Sequence, residues 1–343
     1  MAKVYGIDMG TSSLKIYQKD KGVIYNQKNV IALFDKKKVI AFGDEAWKMD
    51  GKTPPNIEVF YPMRSGVPAD IGNMVTMLNL VFDSLADKYG KLNGAEFLIA
   101  IPTNITEVEK RAFVHLLDST NIKPKQVKVV DRPVADALGA DIDIKEVTGA
   151  IVVDMGAETV EISVLSYGGI VMSRTLSFGG KRFDDGIATA IRKYYNFVVG
   201  SKTAEQIKNT LATAIYPSEE EVTTMKAFGR DVVNGLPGSI PLDSVFVHLA
   251  INDTLELVLE AIKSVLEQVP PEISEDILKY GIHLTGGLSG IQKIEKYIKG
   301  ATGIPVYAAE NGACSVAVGL GKIMEDKELD IFAGKYTALQ IYD

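Results

Sequence analysis

The spacing of apolar and polar positions changes several times along the chain, and each change predicts an element. Residues 3–8 form a mostly apolar run that stops at Asp8-Met9-Gly10-Thr11-Ser12-Ser13. Segments 14–18, 22–26, 30–34 and 38–42 predict short strands, separated by small turn residues or charges. Residues 44–49 predict a short helix. Over 70–89, Met74, Met77, Leu78, Val81, Phe82 and Leu85 recur at helical spacing, with Asp70 placed to cap. Residues 97–101 are nearly all apolar, the pattern of a strand buried on both faces. Thr106 followed by Glu109 predicts a capping box opening a helix to about residue 119. A strand at 126–130 and a helix at 134–139 complete an order of hairpins followed by βαβα. That order predicts a mixed sheet with helices on its faces.

At Ala150 the pattern restarts. Residues 150–154 form another apolar strand, ending in Asp154-Met155-Gly156-Ala157-Glu158-Thr159, and a hairpin follows through 161–165 and 170–176. Asp154 follows Asp8 by 146 residues, and the strand, turn and hairpin all recur, so we read an internal duplication into two lobes. Helices are predicted at 183–196, 203–213 and 247–267. Pro270-Pro271 ends the last, and a short helix at 274–280 is expected to be capped by Ser274. A strand at 281–285 runs into Gly286-Gly287-Leu288-Ser289-Gly290, and helices follow at 291–298 and 315–325. Residues 217–242 read as an insertion poor in strand.

Composition narrows the function classes. At 343 residues the chain is long enough for about two domains and a sizeable core without staples. With 44 acidic against 37 basic residues the net charge is −7, which argues against a general nucleic-acid binder. The single cysteine, Cys314, excludes an internal disulfide and a Cys-rich zinc site, and the three histidines are scattered. A reducing, cytoplasmic setting is expected. We expect neither a signal peptide nor a membrane span.

The turns carry the candidate chemistry. Glycine lets the backbone approach a ligand closely, and consecutive N–H groups form an anion-binding nest. Thr11, Ser12 and Ser13 add hydroxyls. Asp8 stands where a phosphate-bound Mg²⁺ or its waters would use a carboxylate. Two such turns facing each other would grip a polyphosphate. The turn at Gly286-Gly287 has no carboxylate and suits the nucleoside end.

These residues carry a resemblance. Gly6-Ile7-Asp8-Met9-Gly10-Thr11, Val152-Val153-Asp154-Met155-Gly156 and Leu284-Thr285-Gly286-Gly287 resemble the phosphate-1, phosphate-2 and adenosine motifs of the actin/Hsp70/sugar-kinase superfamily. Within it, Gly51-Lys52-Thr53-Pro54, Pro62-Met63-Arg64-Ser65-Gly66-Val67, Ile105-Thr106-Glu107-Val108-Glu109-Lys110-Arg111, Gly235-Leu236-Pro237 and Pro270-Pro271-Glu272 resemble segments of the bacterial actin MreB family, in order. The resemblance spans roughly residues 4 to 324 and is to a divergent paralogue of the kind found in wall-less bacteria.

The resemblance implies an α/β, actin-like fold, ribonuclease H-like and duplicated. Two lobes of four subdomains would surround a central cleft for ATP and Mg²⁺. The first lobe would be 1–143 plus about 313–343, with a small subdomain at about 32–65. The second would be 144–312, with a small subdomain at about 180–245. Protofilaments of the chain itself are implied, with other paralogues as candidate partners and a role in cell shape or swimming. Gly10, Thr11, Ser12 and Ser13 match the first phosphate loop, and Gly156, Ala157, Glu158 and Thr159 the second. Asp8 and Asp154 match the two metal-side aspartates, and Gly286, Gly287, Leu288 and Ser289 the adenosine loop. Glu205 and Lys208 match a pair bordering the adenosine, although their spacing alone gives an exposed helix ion pair.

Two departures bear on hydrolysis. The family's Glu-Glu-Pro is here Asp131-Arg132-Pro133, so Arg132 replaces the Glu that orients the attacking water. Arginine has only donors and cannot act as a base. The family's Gly-Gly-Gly-Thr-Thr is here Gly156-Ala157-Glu158-Thr159-Val160. Glu158 beside a phosphate is expected to be paired, turned outward or at the metal, and an Arg132–Glu158 ion pair is one expectation. Alternatively Glu158 or Asp131 takes over the water, and Thr159 is a further candidate catalytic residue. Weak ATP hydrolysis is expected. The alternatives are a filament protein that holds ATP without turnover, and a superfamily enzyme of the kinase or chaperone ATPase kind.

Membrane association is expected to be weak. The N-terminus has no amphipathic pattern, and the loop Tyr89-Gly90-Lys91-Leu92-Asn93-Gly94 lacks a paired apolar tip. In the tail, Ile331, Phe332, Tyr336, Leu339, Ile341 and Tyr342 come with little positive charge and are expected to pack on the body or a partner. Cys314, His283 and Trp47 are expected in packing roles, and Lys36-Lys37-Lys38 in a solvated turn.

Overall fold

The computed structural model describes residues 3–335, and these divide into two compact units. Among the described residues, the first comprises 3–147, 165–170 and 314–335, and the second 148–164 and 171–313.

The first unit is built on a six-stranded sheet. Its order is Gly334–Lys335, Gln126–Asp131, Glu96–Ile101, Val4–Met9, Ser13–Gln18, Gly22–Lys28. The three strands Val4–Met9, Glu96–Ile101 and Gln126–Asp131 run parallel. Ser13–Gln18 and Gly22–Lys28 extend the sheet as an antiparallel meander. The all-apolar Phe97, Leu98, Ile99, Ala100 and Ile101 are buried, as a strand with both faces covered requires. One face carries the helices Ile71–Tyr89 and Glu107–Asp118, whose Met74, Met77, Val81, Phe113 and Leu117 join the sheet's core cluster. Asp70 caps the first helix by accepting from the Asn73 N–H at 3.0 Å. Thr106 and Glu109 form the reciprocal capping box of the second. The helices Arg132–Gly139 and Ser315–Glu325 pack together, and a Cβ on Gly139 or Gly319 would collide with the facing helix's backbone. A Cβ on Gly6 would lie 2.8 Å from Leu320 Cβ, so the first strand packs closely on Ser315–Glu325.

A separate three-stranded sheet, Lys38–Phe42, Ile31–Phe34, Ile57–Phe60, packs against the helix Gly43–Met49. Trp47 joins its small core of Val30, Ala32 and Ala46, and Lys28 Nζ lies 4.9 Å from the indole centroid. Lys36, Lys37 and Lys38 are exposed. Ile331 is 75% exposed, and Phe332 fills the space a side chain on Gly168 would need. Tyr336, Leu339, Ile341 and Tyr342 lie outside the described residues.

The second unit repeats the arrangement. Its five-stranded sheet has the order Gly169–Leu176, Val160–Ser166, Gly149–Met155, Ile282–Thr285, Val306–Ala308. The last three run parallel. In both units a hairpin thus flanks one side of the strand that ends in Asp-Met-Gly, and parallel strands flank the other. The helices Gly180–Tyr195, Ser201–Leu211, Ser244–Leu266, Pro271–Tyr280 and Ile294–Thr302 contribute Phe183, Ile187, Ile207, Leu255, Ile277 and Ile298 to one core cluster. Cys314 and His283 are structural, the former buried and the latter tilted on Tyr307 at 5.6 Å between ring centroids.

Three expectations are corrected. Residues 217–242 are not strand-poor: Thr224–Asp231 and Pro237–Asp243 form an antiparallel pair, with Phe197–Val198 beside the first. Ala227 and Leu242 alone are buried there, so the strands carry little hydrophobic signal. The helix after Pro270 starts at Pro271 rather than at 274. Proline suits the first helical position, where no N–H is needed. Ser274 lies inside the helix and its Oγ donates to the Pro270 carbonyl at 3.2 Å. The helix expected at 291–298 runs from Ile294 to Thr302, entered through Lys293 at φ +62° and ended by Gly303 at φ +74°.

Candidate functional site

In the first unit, the turn Gly10-Thr11-Ser12 joins the strands Val4–Met9 and Ser13–Gln18. The hairpin register sets Lys15 opposite Asp8. Both are buried, and Lys15 Nζ lies 3.0 Å from Asp8 Oδ2. The turn's carbonyls are held from behind. Asn29 Nδ2 donates to the Gly10 carbonyl at 2.8 Å, and the Asn29 N–H to the Ser12 carbonyl at 2.9 Å. A planar trans peptide then points the Thr11 N–H away from Asn29. The Thr11 hydroxyl accepts from the Gly66 N–H at 3.0 Å, and Lys28 Nζ donates to Ser12 Oγ at 3.3 Å. Lys15 and Asn29 were missed in the sequence. Lys15 was legible in principle, because a tight hairpin places it across from Asp8.

Asp131 and Arg132, where the resemblance leads one to expect a water-orienting Glu, also lie in this unit. Asp131 ends the strand Gln126–Asp131 and precedes the helix Arg132–Gly139 without a side-chain cap bond. It is exposed, yet the surrounding protein pushes its carboxyl above the usual range, with the Lys110 charge opposing. Arg132 is the first residue of the helix and is 5% exposed.

In the second unit, Gly156-Ala157-Glu158-Thr159 makes a matching turn. A Cβ on Gly156 would lie 3.0 Å from the Thr159 carbonyl oxygen, and one on Gly10 lies 2.8 Å from that of Ser13. The Gly156 N–H closes the turn onto the Thr159 carbonyl at 2.9 Å. The carbonyls of Gly156 and Ala157 accept from the N–H groups of Gly180 (3.0 Å) and Lys181 (2.8 Å), in the first turn of the helix Gly180–Tyr195. The N–H groups of Ala157 and Glu158 therefore point away from that helix. Glu158 is ion-paired to Lys181 and its side chain is 15% exposed, so it is paired as expected, from within its own unit.

Gly180 is the point of convergence. A Cβ there would lie 3.1 Å from Lys208 Nζ, 3.6 Å from Leu288 Cδ2 and 3.7 Å from Ala157 Cα. The second loop, the Lys208 helix and the loop at 286–289 therefore meet at one glycine. Lys208 is buried rather than exposed, with Nζ 2.9 Å from Asp184 Oδ1 and 3.2 Å from the Gly180 carbonyl. Glu205 is half-buried on the same helix.

The loop at 286–289 is tightly built. Gly286 has φ +77° and ψ 169°, a conformation essentially reserved for glycine, and its N–H donates to the Gly312 carbonyl at 2.9 Å. A Cβ there would collide with the Asp154 carboxylate and lie 2.5 Å from the Met155 carbonyl oxygen. Ser289 Oγ donates back to the Gly286 carbonyl at 2.7 Å, and Leu288 is buried. A Cβ on Gly287 would meet open space. Gly179, Gly180 and Asp184 were missed in the sequence.

These residues fit a nucleotide. Gly156, Gly179, Gly286 and Gly312 bring loop backbones closer than side chains would allow, and the Ala157 and Glu158 N–H groups, turned away from the helix Gly180–Tyr195, suit an anion. Among the described residues no group of three or more His, Cys, Asp and Glu side chains is gathered for a metal. Magnesium on a polyphosphate needs only one or two carboxylates, the remaining ligands being waters and phosphate oxygens. Asp8 in the first unit and Asp154 in the second each offer a carboxylate of the kind that demand calls for. No helix among the described residues is long and apolar enough to cross a membrane.

Comparison with known proteins agrees with this geometry. The family described as MreB/Mbl protein matches residues 2–331. The cell shape-determining protein Mbl of Bacillus subtilis is 36% identical over 329 residues, 95% of this chain and 97% of that one. The cell shape-determining protein MreB of Escherichia coli K12 is 34% identical over 324 residues, 93% and 92% of the two chains. A crystal structure of MreB 5 of Spiroplasma citri bound to AMPPNP superposes with a TM-score of 0.90 at 29% identity, covering 96% of this chain and 98% of that one. The MamK double helical filament shares the fold, with a TM-score of 0.78 at 21% identity over 94% and 99% of the chains. The fold is therefore α/β and actin-like, and the chain belongs to the MreB/Mbl family.

Proposed function

We propose that this chain is a cytoskeletal, filament-forming protein that binds ATP with Mg²⁺ and hydrolyses it weakly. The observation that carries the nucleotide reading is the convergence at Gly180 of the second phosphate loop, Lys208 and the adenosine loop. The matching turns at Gly10 and Gly156 support phosphate binding by both units. Structures of the similar MreB 5 are bound to AMPPNP and to ADP, which supports the same reading. Asp8 and Asp154 are the carboxylates proposed for the metal side. Copies of the chain itself, and other paralogues, are the proposed partners in the cytoplasm, with weak membrane association. The role follows the similar proteins named as cell shape-determining, or lies in motility.

Weak hydrolysis rests on Arg132, which brings donors where a water needs an acceptor. Arg132 also favours a second reading, in which ATP is held without turnover and sets filament geometry. A superfamily kinase or chaperone ATPase is the remaining alternative. Negative-stain microscopy of the purified chain with and without Mg-ATP tests the proposal. Filaments that require the nucleotide are expected, and their absence under all conditions would overturn it. Phosphate release then separates slow turnover from none.

A further inference from the structure

We infer that Asp184 is a positioning residue for nucleotide binding, holding Lys208 at the nucleoside end of the site. The inference rests on the nucleotide reading above. Asp184 lies one helical turn after Gly180 on the helix Gly180–Tyr195. Lys208 Nζ lies 2.9 Å from Asp184 Oδ1 and donates to the Gly180 carbonyl at 3.2 Å, so successive turns of one helix hold it twice. The side chains are 9% exposed for Lys208 and 14% for Asp184. An ammonium buried this deeply needs a compensating charge to keep its place. Leu288 of the adenosine loop and Ala157 of the second phosphate loop lie within reach of the same glycine. A Lys208 that loses Asp184 keeps one neutral acceptor and a burial penalty, and its ammonium would swing toward solvent.

The charges facing Asp184 make this hold dependent on pH. Burial pushes its carboxyl up to about 6, Lys208 opposes the rise, and Glu205 and Asp185 add to it. Above that value the carboxylate pairs with Lys208. Below it Asp184 is neutral and the pair is lost. Nucleoside recognition is therefore present above pH about 6 and fades below it.

The test is calorimetric titration of the full chain with Mg-AMPPNP and, separately, with Mg-tripolyphosphate, which lacks the nucleoside. Wild type, Asp184→Asn and Asp184→Glu are compared above pH about 7 and below about 5.5, on either side of the carboxyl's titration. Asp184→Asn is expected to weaken AMPPNP about tenfold at the higher pH, as loss of one charge-assisted contact does, and to leave tripolyphosphate unchanged. It should also abolish the pH dependence of the ratio between the two affinities, and Asp184→Glu should restore much of both. An unchanged ratio in Asp184→Asn, or an equal loss for both ligands, would overturn the inference in favour of a merely structural role. A wild type that binds no AMPPNP overturns the nucleotide reading itself, and this inference with it.

Discussion

A methyl group on Gly286 would collide with the carboxylate of Asp154. The end of one strand and the start of the loop at 286–289 thus meet at a distance only glycine permits, and the Gly286 backbone is itself in a glycine-only conformation. Gly286→Ala is therefore expected to cost about 1–3 kcal/mol from backbone strain alone, with the clash adding to it. Thermal unfolding should show a markedly lower midpoint, and AMPPNP binding should weaken. An unchanged midpoint would contradict the close approach.

The buried pair Asp8–Lys15 makes a second prediction. Lys15→Met leaves the Asp8 carboxylate buried without its counter-charge, which costs about 3–5 kcal/mol. Adding Asp8→Asn should recover part of the loss. A denaturation cycle over the two single variants and the double variant measures this, and strict additivity would show that the two groups do not interact.

Arg132→Glu is expected to raise phosphate release by at least about tenfold, since a positioned base is typically worth more than that. The assay follows phosphate from Mg-ATP under filament-forming conditions. If wild type already turns over as fast as the variant, Arg132 is not what limits hydrolysis.

The capping box at Thr106 opens the helix Glu107–Asp118, which supplies none of the proposed nucleotide-binding residues. Thr106→Ala removes the oxygen that accepts from the Glu109 N–H at 3.2 Å, and should cost about 1 kcal/mol. Calorimetry should show a midpoint a few degrees lower, and nucleotide affinity should stay as in wild type. A loss of affinity would mean that the helix Glu107–Asp118 supports the site directly.

Much of the fold was legible because its strongest signals are local. The apolar runs at 97–101 and 150–154, the helical stripe from Met74 to Leu85 and the Thr106–Glu109 box each depend on residues near in sequence. The 146-residue offset linking Asp8 to Asp154 also links Gly10 to Gly156 and Ser13 to Thr159, and both pairs make the same turn. The strands Thr224–Asp231 and Pro237–Asp243 escaped notice because a mostly exposed hairpin rich in Gly and Pro leaves almost no period-two pattern.

The sequence by itself determined the two-fold repeat, the glycine turns and the residue types available for a phosphate, because turn chemistry and hydrophobic periodicity are written in short stretches of chain. Only the tertiary structure decided the partners. Lys15 reaches Asp8 across a hairpin, Lys181 reaches Glu158 across a loop, and Lys208 reaches Asp184 on a neighbouring helix. A charge pairs with whatever opposite charge the packing brings within a few ångströms, and a charge that packing buries needs that counter-charge beside it.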